Sequence, residues 1–274
     1  MGLLFVNTSL WCQEFKNDAD AREKHFVAQV KQLDEFFERF NNDSSSFIRE
    51  VYKLYNVKFK LDRKKLIKSL FNYENKSFDQ ASIDGFVEKA TKVLMPSEKN
   101  WYGENWFAEA ICKFQYNSIV IDISVILKTV TDQQKRSKWI IVGIRPNQLK
   151  EPSNSNIPIT VKTHKIKFID PSSHGANFIE LERDFDDKEN LSDYFDNAFF
   201  YRSNAVQFYH AIMKDKIKFL FVKDVKYHFL NVENYIFTVE YFQRESLNSG
   251  WLINTLKEVT IRDKESFKRQ LLGE

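Results

Sequence analysis

Apolar residues in the first third of the chain recur every three or four positions. Phe26, Val30, Leu33, Phe36, Phe37 and Phe40 fall on one face of a helix predicted over residues 23–41, and charged residues fill the other face. The polar run NNDSSS at 41–46 ends that helix and supplies caps for a further helical piece at 47–55. Leu66, Ile67, Leu70 and Phe71 share a side over 63–71, and a fourth helical piece covers 82–94, closed by Met95 and Pro96. From residue 107 the period drops to about two, the period of a strand. Ile119, Ile121, Ile123 and Val125 line one face there, with Asp122 and Ser124 on the other. A polar loop at 131–137 leads to a strand at 138–144 that carries Trp139. Residues 146–158 hold three of the five prolines, with Asn and Ser, and predict a linker. Beyond it, 159–169 reads as a strand, 204–216 as a helix, 219–230, 235–242 and 251–259 as strands, and 263–272 as a closing helix.

Two stretches echo each other: RSKWIIV at 136–142 and NSGWLIN at 248–254. A shift of 112 residues places Trp139 on Trp251 and Ile141 on Ile253. The same shift carries loop 131–137 onto 243–249, strand 121–130 onto 233–242, and 113–116 onto 225–228. A repeat of this length is a whole domain rather than a solenoid unit. The alternative is a chance likeness between two hairpins, since strand patterns are easily matched.

Residues 26–40, 63–71, 106–112, 119–130 and 138–144 together give a long amphipathic helix, shorter helices, then antiparallel strands ending in a W-x-I strand. That order resembles the NTF2-like (cone-shaped α+β) superfamily. The likeness spans about residues 20–146 and recurs more loosely in the second half, whose helical part at 191–216 is short. It implies an α+β fold of two tandem NTF2-like domains, each with helices packed on a curved antiparallel sheet and the Trp strand placed centrally. The expected organisation is an N-terminal segment at 1–19, a first domain at 20–148, a linker at 149–158 and a second domain at 159–274.

Composition narrows the function classes. The chain has 274 residues, 43% of them hydrophobic, so a full core is available. A net charge of +3 is too small to indicate nucleic acid as a partner. No run of about 18 apolar residues marks a transmembrane helix. Cys12 and Cys112 share no metal-ligand spacing, so neither a zinc site nor a disulfide framework is expected. The start, MGLLFVNTSLWCQ, resembles the back half of a secretory signal peptide with cleavage after Cys12, which predicts export to the periplasm or cell envelope. A short N-terminal strand in a cytoplasmic protein is the alternative.

No HExxH, GxSxG, P-loop or GxGxxG pattern is present, and the five histidines have no metal spacing. No cofactor or metal is therefore expected. NTF2-like enzymes hold an Asp, His or Tyr at the mouth of the cone as acid or base. Carried to this chain, the resemblance makes Asp122 and His228 the catalytic candidates, set against plain solvent-facing positions. A carboxylate desolvated in such a pocket would have a raised pKa. Ser124, Lys226 and Glu240 are the binding candidates on the same strand faces. Trp101 and Trp106, in WYGENW, form either a ligand-stacking rim or a packing cluster. His174 lies in the loop-like DPSSHGAN. Residues 49–68 carry eight basic and two acidic side chains, whereas 180–196 carry eight acidic and two basic. Lys58, Lys60, Arg63, Lys64 and Lys65 are the candidate anion surface, unless both runs are simply solvated faces. The expectation overall is a non-catalytic binding or scaffold protein, holding a small molecule or a protein partner through a concave pocket or a sheet face, with self-association among the options. The alternative is a cone-fold hydrolase or isomerase with Asp122 or His228 as general base.

Overall fold

In this computed structural model the described residues are 29–54, 62–96, 105–131, 137–146, 166–246 and 248–273. Leu33, Phe36, Phe37 and Phe40 build helix α1 (Leu33–Asn41), all four buried on one side. The helix starts later than the periodicity predicts. Val30 is instead tied to a strand, its N–H donating to the Ser249 carbonyl and its own carbonyl accepting from Trp251 N–H at 2.8 Å. Asn42 closes the helix at φ 59°, a left-handed conformation that Asn tolerates. Helix α2 (Phe47–Leu54) follows. Helices α3 (Arg63–Ser69) and α4 (Gln80–Ala90) are capped by Asp62 and Asp79, whose carboxylates accept from Lys65 and Ser82 N–H. The linker and most of the strand expected at 159–169 lie outside the described residues; Ile169 itself forms only an isolated bridge to Trp139.

Strands β1 (Trp106–Tyr116) and β2 (Ile119–Thr131) are joined through Asn117 and Ser118, both at positive φ, as a tight two-residue hairpin requires. Strand β3 (Ser137–Pro146) completes the first set. Short 3-10 turns at Pro171–His174 and Lys188–Tyr194 then alternate with α5 (Leu181–Asp186), α6 (Asn197–Phe200) and α7 (Ser203–Met213). Strands β4 (Ile217–Phe229), β5 (Tyr235–Phe242) and β6 (Gly250–Glu258) form the second set, and α8 (Ile261–Leu272) closes the described chain.

The fold is α+β, and its six strands make one antiparallel sheet in the order β3-β2-β1-β4-β5-β6. Strands on both sides of the expected linker therefore share a single sheet, joined at the β1–β4 pair. Each set runs outward from that pair. Trp139 and Trp251 consequently sit on the two outermost strands, not centrally as the resemblance implied.

The 112-residue correspondence reaches details of the backbone. The β2–β3 register slips at Val142 and the β5–β6 register slips at Asn254, the same position in each set. Such slips bend an edge strand. Each edge is also covered in the same way. Asp196 N–H donates to the Ile141 carbonyl at 2.8 Å, and Asn72 N–H donates to the Ile253 carbonyl at 2.9 Å, each just after a phenylalanine that bridges to the strand. The match breaks between β1 and β4. Against β1, strand β4 skips Leu220 and Lys223, so inward and outward positions fall out of step: Phe114 points inward and Lys226 outward.

One face of the sheet is buried beneath helices, and the helices cross over. Phe40 of α1 stacks on Phe237 of β5 at 6.3 Å, and Phe86 of α4 meets Tyr235 and Phe237. On the other side Phe208 of α7 packs on Phe114 of β1, and Phe178 packs on Trp139 of β3. Trp106 links the two sides, stacked on Phe229 at 5.8 Å and edge-on to Trp139 at 4.9 Å. The two cores expected on either side of the linker are thus one cluster. The outer face carries a smaller cluster, Phe107, Ile126, Ile140, Val142, Leu230 and Ile236, roofed by α8 through Leu271. Gly143 lets this helix come close: a Cβ there would lie 3.2 Å from Leu272 Cα. Among the described residues no helix is long and apolar enough to cross a membrane.

Candidate functional site

The outer face also carries a polar seam fed by all six strands. Glu109 stands at its middle, on β1, in an otherwise apolar run. Its carboxylate accepts from His228 Nε2 at 2.7 Å and from Arg145 of β3, and it also bonds Ser124 of β2. Glu109 and His228 are both buried. Burial by itself would raise the Glu109 carboxyl. The His228 bond and charge, Arg145 and Ser124 outweigh it and hold the group at about 2. His228 Nδ1 is buried and has no hydrogen-bond partner among the described residues. Phe267 of α8 covers the ring at 5.8 Å.

The seam continues across β4 to β6. Lys226 reaches Glu240 at 3.3 Å, and the Glu240 carboxylate accepts from Asn254 at 3.0 Å and from the Thr238 hydroxyl at 3.3 Å. Asn254 occupies the register slip of β6, and it accepts from Asn72 Nδ2 at 2.8 Å. Below the seam lies Asp122, clamped by Lys113 at 2.5 Å and Lys223 at 3.6 Å. The Lys113 bond lowers the Asp122 carboxyl more than its slight burial raises it.

The strand-face residues singled out from the sequence therefore meet on one surface: Ser124, Lys226, His228 and Glu240 in the seam, Asp122 beside it. The residues that sequence reasoning missed are Glu109 and Arg145. A glutamate inside FAEAIC was the available signal, since an acid placed where only apolar neighbours surround it needs a partner. Several expectations are corrected. Asp122 faces outward between lysines rather than into a desolvating pocket, so its carboxyl falls instead of rising and it is a weak base. Trp106 is fully packed and offers no stacking rim; Trp101 lies outside the described residues. His174 is a buried staple: its Nδ1 lies 2.8 Å from the Pro171 carbonyl and its Nε2 lies 3.3 Å from Asp34 of α1.

The two charge runs are also occupied locally. Arg63 donates to the carbonyls of Phe40 and Thr91, Lys64 pairs with Glu88, and Lys68 with Asp84. Lys58 and Lys60 lie outside the described residues. In the acidic run Asp184 and Asp193 are buried, and Asp193 accepts the N–H groups of Ile166 and Lys167.

Comparison of the chain with family models, curated proteins and solved structures gives no match.

Proposed function

We propose that this chain is a non-catalytic binding protein that holds a protein partner on the outer face of its sheet. One observation carries the reading: the helix-facing side is filled with aromatic side chains, whereas the outer side offers charged groups beside exposed apolar ones. Val120 and Phe221 are 58% and 54% exposed on that side, and exposed apolar side chains rimmed by charge are a feature of contact surfaces. Photo-crosslinking from Val120 and Phe221 in the native cell tests it, with exposed Leu54 of α2 as control. Crosslinked product from the sheet positions and none from Leu54 is expected. No product from either sheet position would overturn the reading.

A second reading is favoured by His228. A buried imidazole with a carboxylate on Nε2 and nothing on Nδ1 has the layout of a base and its orienting group. On that reading the chain is a cone-fold hydrolase or isomerase, with Glu109 positioning His228. Turnover on an ester and isomerase panel that vanishes in His228→Gln, with a shifted pH profile in Glu109→Gln, would support it. Equal activity in both variants removes it.

The resemblance to tandem NTF2-like domains belongs here as well, as the proposal that the halves arose by duplication. The matched slips at Val142 and Asn254 and the matched edge bonds support a duplication. Export is likewise a proposal. N-terminal sequencing of protein from the native cell should find a start near Gln13, and an intact Met1 would contradict it.

A further inference from the structure

The outer face divides at the polar seam. Above it, α8 lies over the apolar cluster. Below it, no described element covers the sheet, although this is the region to which the β1–β4 centre relates the α8 side. The stretch that corresponds in sequence to α8, residues 149–160, contains Pro152 and Pro158 and lies outside the described residues.

The bare region has a definite make-up. Val120 of β2 and Phe221 of β4 flank β1 on the outward side, since Val120 pairs with Gln115 and Phe221 with Lys113. Around them stand Lys218 and Lys223 as cations and Asp122 and Asp224 as anions. The skipped residues Leu220 and Lys223 keep Phe221 and Asp224 on this same side. Apolar residues at the centre with both signs of charge at the rim make a patch that complements itself. A two-fold contact between identical chains needs that property, because the same surface must serve on both partners. A surface for a strongly acidic or basic partner would carry one sign.

We infer that this lower outer face is the interface of a symmetric dimer, two copies of the chain packed sheet to sheet about Phe221. The inference rests on the sheet-face reading above and names the partner.

The test is the mass of the whole chain in solution by sedimentation equilibrium, with thermal unfolding as a control for folding. The wild-type chain should associate to a dimer. Phe221→Lys and Val120→Lys should each weaken the dimer about thirty-fold or more and leave the melting temperature of the isolated chain unchanged. Lys268→Glu, on the far side of α8, should leave the dimer intact. A wild-type chain that stays monomeric, or a dimer that survives Phe221→Lys, overturns the inference. The two failures are distinguishable. A monomer that still crosslinks from positions 120 and 221 to another protein keeps the sheet-face reading and loses only the self-contact.

Discussion

Cys112 is wholly buried on β1 among apolar neighbours, and burial pushes its thiol far above the usual range. Only the thiolate is nucleophilic. In a Cys12→Ser background, a soluble maleimide should therefore leave the folded chain unlabelled and label it fully in denaturant. Rapid labelling of the native protein would contradict the described core. Glu109 carries a pH dependence. Its carboxyl sits at about 2 against an ordinary 4.5, so its contribution is complete above pH 4.5 and is lost as pH falls toward 2. The amount is about 3 kcal/mol. Urea titrations of wild type and Glu109→Gln should show a stability gap that closes through that window; a gap that stays constant would mean that the His228 and Arg145 contacts do not hold the charge. Sequence reasoning reached His228, Ser124, Lys226 and Glu240 because alternation shows which side chains share a face. It missed Glu109 and Arg145 because a pairing across strands depends on which strands are neighbours, and no local pattern encodes that.

At the level of elements, the helices and strands were legible wherever one face is buried and the other is wet. The start of α1 was not, because Val30 continues the helical spacing while its backbone bonds to β6. Gly250 makes that contact possible. It sits at φ 95°, and a Cβ there would lie 2.0 Å from the Val30 carbonyl oxygen. Gly250→Ala should cost about 2 kcal/mol or more in chemical unfolding, and a neutral effect would mean that the bridge is dispensable. Thr260 begins α8 with a capping box, its hydroxyl accepting from Asp263 N–H while the Asp263 carboxylate accepts from Thr260. Thr260→Ala should cost about 1 kcal/mol, read from the urea midpoint. Since Lys264 also anchors α8 on the Leu230 and Val232 carbonyls, the helix should remain docked.

For the whole molecule, the repeat was visible as a spacing, but its meaning in space was not. A sequence shift says that two segments are alike. It does not say whether they close two sheets or complete one, since either arrangement satisfies the same alternation. Here the helices before the linker lie against β5 and β6, and those after it lie against β1 and β3. Fragments 20–148 and 159–274 expressed separately should each lack a cooperative unfolding transition, and the whole chain should show one. Two independent transitions in the whole chain would argue that the crossing contacts are weak. The crossing also sets a timetable for synthesis. Phe40, Phe71 and Phe86 leave the ribosome early, yet the strands that cover them end with β6 at Glu258. An unfinished chain therefore presents uncovered aromatic side chains for most of its translation. Nascent chains stalled before Tyr235 should stay open to protease, and those stalled with β6 outside the exit tunnel should become resistant in a single step.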